Sequence, residues 1–275
     1  MPDKDDPVTG RDMLAHCAYA DDRHIRTRLA FWAHSTKAYP EGWRMSYVDW
    51  DGTGTIVDVG CGNARELKYL VASGKCRNGI GVDLSAGMLA SAQGPLATDG
   101  LSFVQGDAEH LPVRAGAADA VLAMHMLYHV PNPEQAIAEL RRVVRAGGTV
   151  LVSTVGARDL AGLRELFDSV ASEHLGRRVE ALPPLGFTLD NGGVLLGRHF
   201  NDVTLHTDEN ELILSDAQVA VDYMDSMRDP VVAHLGPDLD FEVALSALRQ
   251  RIDERIRKCG SFVTHGYSGM FVCRE

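Results

Sequence analysis

The 275-residue sequence predicts a doubly wound α/β fold, and three observations predict it. Short apolar runs alternate with amphipathic stretches, the first run ends on a glycine-rich turn that opens a helix, and the next two runs end on acids. Such alternation implies a parallel sheet with right-handed crossovers. In that sheet the binding crevice lies at the carboxyl ends of the strands, where the strand order reverses.

Taken in order, residues 1–11 are rich in Asp and Pro and lack the basic start and apolar core of a secretory signal, so they read as a loose tail. From Asp21 to Lys37 the spacing is helical, with Ile25, Leu29, Trp32 and Ala33 on one face, and Pro40-Glu41-Gly42 ends it. Thr55-Ile56-Val57-Asp58-Val59 is a strand, Gly60-Cys61-Gly62 a tight turn, and Arg65 to Ala72 a helix. Residues 78–83 repeat the arrangement, with a helix from about Ser85 to Ala92 for which Ser85 is the N-cap, so the first two strands are parallel neighbours. Leu101 to Gln105, Ala118 to Met124 and Gly148 to Thr154 are further strands, with an amphipathic helix, Pro133 to Val144, between the last two.

After Thr154 the pattern loosens. Residues 159–175 read as helix, 183–186 as a turn, 202–206 and 211–214 as two extended pieces, 218–227 and 241–257 as helices, and 266–273 as a final strand. The late helices are expected to cap the crevice.

Composition narrows the function classes. No window approaches the roughly 18 consecutive apolar residues of a membrane span, and a cytoplasmic home is expected. The five cysteines are odd in number, scattered and never spaced as CxxC, which argues for reduced packing residues over a disulfide framework or a zinc site. A formal charge of −11 repels phosphate backbones, and no basic, aromatic-interleaved cluster overrides it. The expected partner is therefore a small molecule, with neither nucleic acid nor membrane involved and a homodimer left open.

Three strand ends carry the chemistry. In Val57-Asp58-Val59-Gly60-Cys61-Gly62-Asn63-Ala64 two glycines allow close backbone approach, and the following helix offers N–H groups to an anion. Taken alone, the string is also what any strand-to-helix turn needing positive φ looks like. Asp83 ends the second strand, where a carboxylate can accept both hydroxyls of a ribose; its bland alternative is an N-cap. Asp107, in Gly106-Asp107-Ala108, ends the third and can accept from an adenine amine; its bland alternative is an Asx-turn. One adenosine-bearing ligand accounts for all three in that order.

Across residues 55–154 the chain resembles the class I S-adenosylmethionine methyltransferases. The resemblance rests on the glycine string, Gly81-Val82-Asp83, Gly106-Asp107-Ala108-Glu109-His110-Leu111-Pro112, Leu127-Tyr128-His129-Val130 and Arg142 through Val152. The order is similar to the subgroup that methylates quinones and natural products. The resemblance implies a mostly parallel seven-stranded sheet whose last strand is antiparallel, S-adenosylmethionine as cofactor, and methyl transfer to O, N or C of a small acceptor. It divides the chain into a tail and helical preface or lid, 1–50, and a methyltransferase domain, 51–275, with cap helices at roughly 216–258 before the last strand.

Carried over residue by residue, Gly60 and Gly62 border the methionyl part, Asp83 holds the ribose, Leu84 and Met88 line the adenine and ribose pocket, and Asp107 with Ala108 flanks the adenine; Asp58, Cys61 and His125 complete the cofactor-binding set that the resemblance implies. The family's usual third glycine is Ala64 here, which puts the path of the turn in question. His125-Met126-Leu127-Tyr128-His129 has HxxxH spacing, but it lacks the Glu of a zinc protease, so no metal is expected. The resemblance puts Tyr128 and His129 beside the acceptor.

The segment from His34 to Trp43 resembles a preface that folds over the cofactor, with Tyr19, His34 and Trp43 helping to shut the crevice; packing in the core is the alternative for Trp32 and Trp43, and equally for Tyr223 and Met227. For a hydroxyl acceptor the base candidates are His129, since imidazole titrates near neutrality, and then His34. A nicotinamide-dependent oxidoreductase shares the glycine turn and Asp83 but leaves Asp107 unexplained. A cofactor-binding protein without turnover, and a methyltransferase acting on RNA or protein, are the other readings.

Overall fold

In the computed structural model, which describes residues 17, 19–93 and 99–275, seven strands form one sheet in the order β3-β2-β1-β4-β5-β7-β6. These are β1 (Thr55–Val59), β2 (Asn78–Asp83), β3 (Leu101–Gln105), β4 (Ala118–Met124), β5 (Val144–Val155), β6 (Asp202–Leu214) and β7 (Phe262–Arg274). The first five are parallel, whereas β7 runs antiparallel to both β5 and β6. Order reverses between β1 and β4, so the crevice opens at their carboxyl ends.

Both faces of the sheet are covered, which is why the central strands read as unbroken apolar runs rather than alternating ones. Val57 and Val59 of β1 enter one apolar cluster with α4 (Pro133–Val143), and Ile56 enters another with α2 (Arg65–Ala72). Asp58 follows Ile56 by two residues and so shares its face. A third cluster joins α5 (Ala161–Leu175), α7 (Ala217–Asp225) and α9 (Phe241–Cys259) to Phe31 of α1 (Arg23–Trp32). The expected strands β1 to β4 and helix α4 lie where the sequence predicts them.

Several expectations need correction. The helix α1 stops at Trp32, five residues early, and its buried face is built on Phe31, which is 1% exposed, while Leu29 is 40% exposed. Phe31 sits 4.3 Å from Tyr223, and Trp32 packs where Gly266 of β7 leaves room. Burying one such ring is worth about 1.5–3 kcal/mol, enough to choose the face. The pieces 202–206 and 211–214 are one strand of 13 residues, because the polar stretch between them lies on a solvent-facing sheet edge.

Two helices went unforeseen. The helix α6 (Leu189–Leu196) contains a Gly192-Gly193 pair, yet a Thr188/Asn191 capping box starts it and Gly192 lies against Phe187 and Phe271. In α8 (Arg228–Leu235) Pro230 lies in the first turn, where a missing N–H costs nothing. Cys61, Cys76 and Cys273 are buried packing residues, whereas Cys17 and Cys259 are exposed. The tail at residues 1–11 lies outside the described residues.

Residues 34–39 run along the outer edge of β6. His34 O accepts from Ile213 N at 3.2 Å, Thr36 N donates to Glu211 O at 2.8 Å, Lys37 Nζ pairs with Asp208 at 3.0 Å, and the Tyr39 hydroxyl also donates to Asp208. At its other end the preface touches α3 (Ala86–Gln93): Ser85 Oγ donates to Tyr19 O at 2.7 Å, and Ala20 O occupies the notch left by Gly87.

Candidate functional site

The turn after β1 is closed by its own backbone. Gly60 N and Cys61 N both donate to Val82 O, at 2.8 and 3.1 Å, and Gly62 N donates to Asp83 Oδ2 at 2.8 Å. Gly60, Gly62 and Ala64 have φ of +67°, +54° and +59°. The turn therefore keeps its left-handed path with an alanine third, at a steric cost of about 1–2 kcal/mol. A side chain at Gly60 would run into Met126, which follows β4, so the two sides of the crevice touch at this point.

Asp83 joins its bland reading to its functional one. Its second oxygen accepts from Ser85 N at 2.9 Å, and Ser85 in turn caps α3 through Met88 N at 3.2 Å. Burial raises the Asp83 pKa, and the backbone donors pull it back. Asp107 makes an Asx-turn, Oδ1 accepting from Glu109 N at 2.9 Å, with Ala108 half-buried beside it. Met88 lies under Gly62, while Leu84 is half-buried and holds Gln105 through its carbonyl at 2.9 Å.

Asp58 is 1% exposed, and its Oδ1 has no hydrogen-bond partner among the described residues. Burial raises its pKa well above the carboxylate range, and the nearby Glu66 and Asp83 charges add to that. Sequence reasoning missed Arg44. Its guanidinium lies 4.6 Å over the Trp43 ring with Nη2 3.5 Å from Ser268 Oγ; burial lowers its pKa, and the Glu66 and Asp208 charges push the other way.

Across the crevice, His125 has φ +53° and donates its N–H to Ser153. Burial, then the charges of Arg44 and His129, lowers its pKa to about 3. Two residues on, the 3-10 turn Leu127–His129 presents Tyr128 and His129. His129 Nε2 lies 2.8 Å from the Tyr19 hydroxyl, which accepts from Arg28 Nη1 at 2.9 Å, so the phenol donates to the ring and Nδ1 carries the imidazole proton. Burial and the Arg28 charge push His129 down to about 3. The near-neutral titration that favoured His129 as a base is therefore absent. His34 is exposed and its backbone pairs with β6; no contact joins it to Tyr19 and His129 among the described residues.

Two more residues went unseen in the sequence. Arg28 donates Nε and Nη2 to Ser226 Oγ and O, at 3.2 and 2.8 Å. Asp159, after β5, is 7% exposed and accepts from Tyr267 N at 2.7 Å; burial raises its pKa to about 7. Tyr128 and Tyr223 both feel Arg28 and Asp159, and burial keeps both phenols protonated. No sequence signal marks either residue, because each works with partners distant in the chain.

Residues 57–152 match the family described as "Methyltransferase domain". The matched segment, roughly a third of the chain, is similar to methyltransferase domains and carries β2 to β4 and most of β1 and β5. The chain is similar to a ubiquinone biosynthesis O-methyltransferase of Methylococcus capsulatus, 35% identical over 126 residues, 45% of this chain and 51% of that protein. It is also similar to the ajmaline N-methyltransferase of Rauvolfia serpentina, 33% identical over 112 residues, 38% of each chain. The chain spans about half or less of the length of the curated relatives it matches.

Among solved structures, the Bacillus subtilis YcgJ protein superposes with TM-score 0.54 at 17% identity, over 85% of this chain and 97% of that chain. A Haemonchus contortus N-methyltransferase solved with S-adenosylhomocysteine gives 0.54 at 16% identity, over 96% and 59%. The shared fold is the mostly parallel seven-stranded sheet with its antiparallel β7. No helix among the described residues is long and apolar enough to cross a membrane.

Proposed function

We propose that this chain moves a methyl group from S-adenosylmethionine to an O, N or C atom of a small acceptor, a quinone-like or natural-product metabolite. One observation carries the reading. Adjacent parallel strands β1, β2 and β3 end in the glycine turn, Asp83 and Asp107 on one side of the crevice, with Tyr19, Tyr128 and His129 opposite. The ubiquinone and ajmaline relatives bear small-molecule names, which favours that class of acceptor.

The residues fit the cofactor. The orphaned Asp58 oxygen suits an ammonium, Arg44 suits the carboxylate beside it, and the carboxylates Asp58, Glu66 and Asp83 suit a ligand of net positive charge. Asp83 would hold the ribose hydroxyls, Asp107 and Ala108 the adenine, with Met88 and Leu84 beneath. When bound, the cofactor supplies an electrophilic methyl on a sulfonium.

The chain's own part is alignment in a dry pocket, where good orientation is worth roughly 7–11 kcal/mol and a positioned base only about 10²- to 10⁴-fold. An amine acceptor arriving neutral needs no base. For a hydroxyl, Asp159 at about 7 is better matched to neutral pH than His129 at about 3. We therefore assign His129 to orienting Tyr19 and the acceptor. The preface over residues 19–34 serves as the lid, tied down at Gly87 and His129.

Calorimetric titration with S-adenosylhomocysteine, run beside Asp83→Ala and with NAD as control ligand, tests the reading. Micromolar binding by the wild type alone supports it and opens an acceptor screen. No binding, or binding of NAD instead, overturns it.

A further inference from the structure

Among the described residues, Arg28 is a shielded cation with no anion bonded to it. Three of its five N–H donors go to neutral acceptors, the Tyr19 hydroxyl and Ser226 Oγ and O, and no carboxylate pairs with it among the described residues. One N–H on each terminal nitrogen remains, forming the fork that matches an oxyanion. Around it the Tyr128 and Tyr223 hydroxyls have no hydrogen-bond partner among the described residues, although both phenols lie within reach of the Arg28 charge. A second cation, Arg164, acts on Tyr223 and also on Asp159.

The elements that converge here are α1, the 3-10 turn after β4 and the end of α7, which together wall the acceptor side of the crevice. A guanidinium held there at the desolvation cost of a buried charge needs a compensating partner. Because one cation stands uncompensated, a monoanion balances it better than a dianion. The surrounding aromatic rings, Tyr19, Phe31, Tyr128 and Tyr223, favour a planar body attached to that anion.

Resting on the methyltransferase reading, we infer that the acceptor is an organic acid whose carboxylate docks on Arg28, with Tyr128 and Tyr223 donating to it. The competing role for Arg28 is a tie between α1 and Ser226, and the test separates the two.

Benzoate, benzamide and phenyl phosphate are titrated into the protein with and without S-adenosylhomocysteine, in wild type, Arg28→Met, Arg28→Lys and Ser226→Ala. The expectation is that wild type prefers benzoate over benzamide by roughly 10- to 100-fold, the range of hydrogen bonds to a charged group. Arg28→Met brings the ratio near one while benzamide binding stays, Arg28→Lys restores part of it, and Ser226→Ala keeps it. An equal affinity for the two probes in wild type, no benzoate binding, or a ratio that survives Arg28→Met overturns the proposal. A preference for phenyl phosphate over benzoate replaces carboxylate by phosphate and so overturns it too. Failure of S-adenosylhomocysteine to bind while the benzoate ratio holds defeats the methyltransferase reading but leaves the anion site standing.

Discussion

Beneath the glycine turn, Asp58, Glu66 and Asp83 crowd three carboxylates into one end of the crevice, whereas at the other end Arg28 stands among Tyr19, Tyr128 and Tyr223 with no carboxylate bonded to it among the described residues and with Asp159 as the one acid acting on the same phenols. The acidic end comes from a continuous stretch, β1 to β2, whose backbone locks Asp83 to Gly62. The cationic end is assembled from α1, the turn after β4, the loop after β5 and α7. The difference separates a ligand end that the fold dictates from one that this particular chain has composed.

The largest expected effect lies at the cationic end. Asp159 keeps its proton up to about 7 in the folded protein, against 3.8 for an ordinary aspartate. Folded chains therefore hold a proton that unfolded chains have released, and stability is lost as pH rises from about 4 to about 7. Asp159→Asn keeps the acceptor for Tyr267 N and removes that loss. Urea unfolding at pH 8 is expected to find it more stable, by up to about 4 kcal/mol, with no gain near pH 4. A gain that does not change with pH would mean that desolvation is not what holds the proton.

At the acidic end Asp83→Ala is expected to weaken S-adenosylhomocysteine by at least about 100-fold by calorimetry, the lower end of what two hydrogen bonds to a charged group are worth. Asp58→Asn sharpens the contrast, because its two effects oppose each other. Relief of a buried, repelled carboxylate raises thermal stability at pH 8 by about 1–3 kcal/mol, while S-adenosylhomocysteine affinity falls roughly tenfold. A loss of both would reduce Asp58 to a packing residue. The smallest effect is expected at Ala64→Gly, where relief of the left-handed backbone is mostly offset by glycine's entropy and the lost methyl contacts; chemical denaturation should find a gain below about 1 kcal/mol.

The same contrast explains what the sequence could tell. Strands β1 to β5 and their strand-end residues are legible because apolar runs, glycines and acids act on near neighbours in the chain. The face of α1 is not, since Phe31 is chosen over Leu29 by the distant Tyr223. Nor is the chemistry of His129, whose residue type suggests a base until burial and Arg28 silence it. Arg28, Arg44 and Asp159 carry no local motif, so only the folded arrangement reveals them. α6 and α8 were hidden by Gly192-Gly193 and Pro230, helix breakers in general that are harmless where packing and the first turn accept them.

The run from His34 to Tyr39 along β6 has a consequence for how copies of the chain meet. A 13-residue strand at the end of a sheet offers a ladder of unsatisfied groups to any neighbouring molecule, and Leu205 and Ile213 on it are 40% and 43% exposed. The bonds from residues 34–39 fill the half nearest Ile213, and Asp202, Asp208 and Glu209 give the edge a negative charge. Stripping residues 34–39 from the edge would therefore turn it into a template for strand-to-strand polymerisation, so the colloidal behaviour of the protein depends on the same segment that leads the preface into the sheet.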